Sequence, residues 1–219
     1  MAHNFNKIYA PFGRLNPKDK LCSTEKPNRS WVPLFYTSNM KMFASEKLDG
    51  TSIGVAWDGE RISFVGHTEG KPVAKELMSY LEENFGTKQF ESVIESVFGE
   101  TVVTIYGEMV HKNVGSHQYG FPEGKFIGYD ICNAEGKYYN RTAVKGILES
   151  LGIEYPHEEL MTIKEAVDFV STRQKSWLDA NEPLEGLVLR PQIELYLNNN
   201  ERVICKVKTC DFCKDLGDE

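Results

Sequence analysis

Long apolar runs are missing from this 219-residue chain, and a helix that spans a bilayer needs about 20 such residues in a row. A hydrophobic leader is missing too. Met1-Ala2-His3-Asn4-Phe5-Asn6-Lys7 holds no apolar block, so nothing marks the chain for export, and a cytoplasmic protein without membrane contact is expected. Positive charge is outnumbered, with 25 Lys and Arg against 32 Asp and Glu. A formal net charge of −7 argues against a protein that coats nucleic acid indiscriminately, because Lys and Arg drive phosphate binding. One local basic cleft remains compatible with that total. Disulfide spacing is also lacking: Cys22, Cys132, Cys205, Cys210 and Cys213 form an odd set, which suits a reducing compartment. Cys210-x-x-Cys213 has half the spacing of a zinc site, but no second pair completes it, and inert thiols are expected. No internal repeat or linker is visible.

What is present is an ordinary globular mixture, 41% hydrophobic and 26% charged, with enough chain to bury a core. The first forty residues are its most basic stretch, with Lys7, Arg14, Lys18, Lys20, Lys26 and Arg29 against Asp19 and Glu25. Pro11, Pro17, Pro27 and Pro33 break any long helix there. Residues 1–42 are therefore expected to form a loop-rich basic arm packed on a domain of residues 43–219. The arm is either a solvated covering or a contact for phosphates.

β-Branched runs bounded by turn residues predict strands at 43–48, 52–57 and 61–65, the last two joined at Asp58-Gly59. Helices are predicted at 73–85 and 89–98; Phe90, Val93, Ile94 and Val97 recur at helical spacing in the second, and Gly99 ends it. Strands at 101–106 and 125–131 follow, then a helix at 142–151 capped by Thr142. Thr162-Ile163-Lys164-Glu165 has the capping-box pattern that opens another helix. Strands at 186–190, 193–197 and 202–207 close the chain, with Asn198-Asn199-Asn200 turning between the last two. Antiparallel sheets with flanking helices make the expected fold class α+β.

Several of these strands end in charge: Lys47-Leu48-Asp49-Gly50, Tyr106-Gly107-Glu108, Tyr129-Asp130, Glu185-Gly186-Leu187-Val188 and Lys206-Val207-Lys208. A packed strand has no use for such side chains, whereas a site does. A lysine acts as a nucleophile only when it is fixed and its hold on the proton is weakened, since the free amine has a pKa near ~10.4. Lys47, at a strand-to-loop junction and followed by Asp and a turn-forming Gly, suits the first requirement. Lys206 and Lys208, two residues apart on one strand face, suit the second.

In that order these segments closely resemble the motifs of the covalent nucleotidyltransferase superfamily: ATP-dependent RNA and DNA ligases and mRNA-capping enzymes. Glu46-Lys47-Leu48-Asp49-Gly50-Thr51, Gly66-His67-Thr68-Glu69 and Lys206-Val207-Lys208-Thr209-Cys210-Asp211-Phe212 resemble the small RNA ligases of bacteriophage and RNA-editing type. The likeness runs from about Phe43 to Phe212. It implies an adenylyltransferase domain of the ligase type with no appended C-terminal domain, leaving sealing to that domain or to an accessory protein. It further implies joining of 5′-phosphate and 3′-hydroxyl RNA ends through lysyl-AMP, with ATP and Mg²⁺ or Mn²⁺ as cofactors. A minimal DNA ligase and a nucleotide- or RNA-binding module without sealing activity are the alternatives.

The resemblance assigns Lys47 as nucleophile, with Lys206 and Lys208 as catalytic cations at the α-phosphate. Glu46, Asp49, Gly50, His67, Glu108, Tyr129 and Glu185 join Lys206 and Lys208 around the nucleotide, Asp49 and Gly50 chiefly by shaping the turn. Glu185 is the expected metal carboxylate, Glu108 the ribose contact and Tyr129 the ring stacked on adenine, with a core tyrosine as the other reading. His67 stands where related ligases carry an arginine, so a permanent cation is replaced by a shorter side chain. His111, Lys112 and His117 are candidate nucleic-acid contacts.

Overall fold

The structure, a computed structural model, describes residues 5, 7–66, 73–112 and 114–213. In chain order its elements are α1 (Val32–Thr37), β1 (Met42–Glu46), β2 (Thr51–Trp57), β3 (Ile62–Gly66), α2 (Lys75–Asn84), α3 (Lys88–Phe98), β4 (Val103–Val110), β5 (Lys125–Asn133), α4 (Arg141–Ser150), β6 (Glu158–Met161), α5 (Ile163–Ser171), β7 (Gly186–Pro191), β8 (Cys205–Lys208) and α6 (Thr209–Phe212). They build two four-stranded antiparallel sheets, ordered β3-β2-β4-β5 and β6-β1-β7-β8. The fold is α+β, as the strand and helix periodicities predict. None of the described helices is long and apolar enough to cross a membrane.

The chain divides into two compact units, and the division is not the expected one at residue 42. Residues 49–156 with Phe5 make an inserted unit, while 7–48 and 157–213 make a flanking unit. In the inserted unit, period-2 alternation sends Ile53, Val55, Trp57, Val103, Ile105 and Met109 to one sheet face. There they pack on Leu77, Leu81, Ile94, Val144 and Leu148 from α2, α3 and α4. Burial of each such side chain contributes about 1.5–3 kcal/mol. Ser52, Glu108 and Tyr129 share the opposite face. The β4–β5 register slips at Tyr106/Gly107, which leaves Tyr129 as the extra residue of a bulge. Helix α4 starts earlier than predicted: Asn140, not Thr142, is its cap and accepts a hydrogen bond from the Ala143 N–H at 2.9 Å. Either residue type can cap, but Asn140 lies three residues before a free helical N–H, while Thr142 is inside the first turn.

In the flanking unit, Met42, Ala44, Leu187, Leu189, Cys205 and Val207 face α5, which buries Ile163, Ala166, Val167 and Val170. The capping box at Thr162 and Glu165 is formed in both directions. The basic N-terminal stretch belongs to this core, since Phe12, Trp31, Val32 and Phe35 are buried in it. Pro33 starts α1 rather than breaking it, because a proline in the first turn lacks only an N–H that has no helical partner there. Strand β6, not anticipated, carries Glu158 and Glu159 and exists through its pairing with β1. The strand expected at 193–197 is not in the sheet. That segment turns at Leu197–Asn200, bridges at Tyr196–Arg202 and is tied by the buried Arg202–Glu194 ion pair at 2.7 Å.

Candidate active site

Three lysines and one carboxylate meet at one edge of the flanking sheet. Lys47 follows the last residue of β1, and its backbone N–H donates to the Gly186 carbonyl at 2.9 Å. Its Nζ donates to Glu185 Oε2 at 2.6 Å, and Lys208 Nζ donates to Glu185 Oε1 at 2.9 Å. One carboxylate therefore bridges two amines, and all three side chains are between 14% and 30% exposed. The β7–β8 pairing sets this geometry: Gly186 lies opposite Lys208, and Val188 opposite Lys206. Gly186 has no room for a Cβ, because Val207 and Lys208 backbone atoms occupy that position. Lys206 makes no ion pair of its own among the described residues. Burial lowers its proton affinity, and the charges of Lys47 and Lys208 lower it further. For Lys208 burial acts the same way, but the hydrogen bond and charge of Glu185 outweigh it, and the net shift is upward. Three cations against one anion in a half-buried setting are suited to a polyanion such as phosphate.

Glu46, on the preceding strand, is 4% exposed and faces away from that cluster. Its carboxylate accepts from Ser176 Oγ at 2.5 Å and from the backbone N–H groups of Trp177 and Leu178 at 2.9 and 3.0 Å. The expected nucleotide contact is, in this structure, an anchor for the 176–178 loop.

In the inserted unit, Ser52 pairs opposite Glu108, and Ser52 Oγ lies 2.5 Å from the Tyr129 hydroxyl. Tyr129 is half-buried, with Phe5 set edge-on at 5.3 Å. Gly50 abuts the Met109 carbonyl and Glu108, where a Cβ would collide. Asp49 Oδ2 accepts from Ser116 N–H, Ser116 Oγ and His117 Nδ1 at 2.5, 2.7 and 2.8 Å. Burial alone would raise the Asp49 carboxyl, but hydrogen bonds from His117 and Ser116 reverse this and hold it well below the usual carboxylate range.

The RNA ligase family profile matches residues 40–208. This chain belongs to the RNA ligase family. Solved structures of Naegleria gruberi RNA ligase share the fold. A lysine-to-methionine variant with AMP and Mn is 15% identical, with a TM-score of 0.61 over 80% of this chain and 52% of that one. A lysine-to-alanine variant with ATP and Mn is 14% identical, with a TM-score of 0.62 over 95% and 61%. The structure with PPi gives 15%, 0.61, 93% and 59%. This RNA ligase family member thus spans a little over half the length of the solved relatives it matches. No curated protein matches it in sequence.

Of the residues expected in the site, the family member brings Lys47, Glu185, Lys206 and Lys208 together in one unit, and Asp49, Gly50, Glu108 and Tyr129 lie in the other. His67 lies outside the described residues. The expectation of His111 and His117 as nucleic-acid contacts is corrected: they are 7% and 8% exposed, too buried to meet a polynucleotide, whereas Lys112 is exposed. Ser116 and Tyr119 escaped sequence reading. Their signal, a Gly-Ser run after a strand, looks like any loop. Among the described residues no group of three His, Cys, Asp or Glu side chains is placed to hold a metal. The Cys213 sulfur accepts from Arg173 Nε at 2.9 Å, and burial pushes the Cys205 thiol up to about 12.

Proposed function

We propose that this chain is an ATP-dependent RNA ligase, in which Lys47 takes AMP from ATP, passes it to an RNA 5′-phosphate, and a 3′-hydroxyl then displaces it. The observation that carries this reading is the Glu185 carboxylate bridging Lys47 and Lys208 with Lys206 alongside. Membership of the RNA ligase family supports it.

Lys47 Nζ attacks the α-phosphorus, the bond to the bridging oxygen breaks, and pyrophosphate leaves. Attack requires an unprotonated amine, and Glu185 Oε2 is within reach of its proton at 2.6 Å. Lys206 and Lys208 offset charge on the α-phosphate oxygens. Once adenylylated, Lys47 is no longer cationic and its ion pair with Glu185 ends. Among the described residues Lys208 then remains the ion-pair partner of that carboxylate. A divalent cation carried mostly by phosphate oxygens and water needs only one or two protein carboxylates, and Glu185 fits that demand. Such an ion, Mg²⁺ or Mn²⁺, would offset the charge of departing pyrophosphate.

Glu108 is assigned to the ribose hydroxyls and Tyr129 to the adenine face, with Asp49 and Gly50 shaping the chain after the nucleophile. RNA ends are the proposed partners, in the cytoplasm, with an accessory protein as a further proposed partner in sealing.

Incubation with α-labelled ATP or GTP followed by a denaturing gel tests the reading. Protein-bound label from ATP alone, lost in Lys47→Ala, is expected. Glu185→Ala should slow labelling at least 100-fold while ATP affinity changes little. Label from GTP would point to capping chemistry, and no label to a binding module.

A further inference from the structure

Lys7 is the first residue of the flanking unit, and the adenylylation scheme leaves it unused. Its segment runs along the outer side of β8, the strand at one end of the flanking sheet. There the Lys206 N–H donates to the Tyr9 carbonyl at 3.0 Å, and Tyr9 forms a parallel bridge with Cys205. The backbone that carries Lys206 is thus tied directly to the segment that carries Lys7. Covering a strand edge takes only backbone groups, so that task by itself gives no reason for a lysine.

The surroundings of Lys7 leave its charge unspent. Its Nζ lies 5.3 Å from the centre of the Tyr9 ring, which is 44% exposed. An exposed aromatic face attracts a cation weakly and does not neutralise it. Arg29, the other cation on that ring at 3.9 Å, is paired with Glu201 at 2.6 Å. Lys7 is exposed and makes no ion pair among the described residues. Its charge nevertheless reaches the lysine cluster. Burial is the largest influence weakening the hold of Lys206 on its proton, followed by the charges of Lys47 and Lys208; Glu185 opposes them, and Lys7 adds to them. Asp211 of α6 is a further anion, acting on Lys208. Four amines are therefore set against two carboxylates within one unit. A fourth amine beside three others only adds repulsion until an anion is bound.

We propose, on the adenylyl-transfer reading above, that Lys7 is a phosphate-binding residue of this site, beside Lys206 and Lys208. The triphosphate of ATP and the 5′-phosphate of an RNA end offer the same anionic oxygens. A lysine serves either one, because its ammonium acts as a mobile point charge rather than a rigid fork. Such a contact is made equally before and during reaction, so its loss falls on KM rather than on the rate constant.

The test uses the full chain in two arms. One is single-turnover lysyl-AMP formation over a range of ATP concentrations. The other is transfer of AMP from preformed lysyl-AMP protein to 5′-phosphorylated RNA over a range of RNA concentrations. Lys7→Gln should raise KM about ten-fold in at least one arm, with rate constants within about three-fold of wild type. A rise in the first arm identifies the ATP phosphates as the ligand, and a rise in the second identifies the RNA 5′-phosphate. Lys7→Arg keeps the charge and should bring KM back to within about three-fold of wild type. Lys164→Gln, an equal change of net charge on α5, should leave both arms unchanged. An absence of label in the wild type would overturn the adenylyl-transfer reading and this proposal with it. With a labelled wild type, the proposal alone is overturned by any of four results: Lys7→Gln matching wild type in both arms, a loss confined to the rate constants, Lys7→Arg as impaired as Lys7→Gln, or Lys164→Gln reproducing the change.

Discussion

Each charged group in the flanking-unit cluster has a partner that explains its burial, save one. Lys47 and Lys208 share Glu185, while Lys206 is held near them without an ion pair among the described residues. Such an excess of cation is unfavourable until an anion arrives, so it marks a binding demand rather than a stability device. Asp49 is the reverse case, an anion with more donors than it needs. Its carboxyl is depressed in the folded protein, so it contributes stability that is present above the unfolded pKa of about 3.9 and is lost as pH falls through the folded value. Thermal unfolding of the wild type should therefore drop below about pH 4. In Asp49→Asn that part of the acid limb should be flatter, with a lower plateau near neutral pH. An identical acid limb in both proteins would show that the Asp49 hydrogen bonds do not survive in solution.

At the scale of elements, the termini of helices were more legible than short strands. The capping box before α5 is written in four consecutive residues and formed as read. Its side-chain bonds replace water at N–H groups that the helix cannot satisfy itself. Thr162→Ala should cost about 1 kcal/mol, or about 2–4 °C in Tm for a chain of this size, in differential scanning calorimetry. Lys164→Ala, on the exposed side of the same turn, should be near neutral. Equal effects would show that burial, not capping, is the term that matters at Thr162. Strand β6 and the failed strand at 193–197 miss in opposite directions for one reason. A short segment becomes a strand when a neighbour offers its backbone, and local composition records nothing of the neighbour. Glu158 and Glu159 pair with β1 despite poor strand propensity, while the 193–197 segment reaches residues 201–203 only through an isolated bridge and two backbone hydrogen bonds, too little to extend the sheet.

The whole molecule is acidic, at −7, yet the loop between Gly13 and Lys26 carries Arg14, Lys18, Lys20 and Lys26 at its surface. Its ends are closed by hydrogen bonds from Gly13 N–H to the Lys26 carbonyl and from Ser23 N–H to the Gly13 carbonyl. The loop is thus a fixed basic feature, and under the RNA ligase reading it bears on polynucleotide binding rather than on lysyl-AMP formation. Sealing of 5′-phosphate, 3′-hydroxyl RNA ends should fall steeply with salt, and neutralising Lys18, Lys20 and Lys26 together should flatten that slope by up to about three counterions' worth. Lysyl-AMP yield should be unchanged. RNA at the 3′-hydroxyl side should be preferred, because the 2′-hydroxyl is what distinguishes it from DNA. An unchanged salt slope would make the loop a packing feature only, and equal sealing of all-DNA nicks would favour a DNA ligase.

The residue order alone determined the α+β class, the run of charged strand ends and the family likeness, because each is local: a period, a cap or a short motif survives in one dimension. Tertiary structure decided what those charges meet. Lys47 and Glu185 are 138 positions apart, and only the β1–β7 pairing brings them to 2.6 Å. The same folding turned Glu46 inward to the 176–178 loop and gave Asp49 its partners at Ser116 and His117, far along the chain. It also drew residues 7–48 and 157–213 into one unit and 49–156 into another. No pattern in the sequence signals that division, because buried apolar side chains such as Phe12 and Val32 choose partners by shape and by exclusion of water rather than by position in the chain.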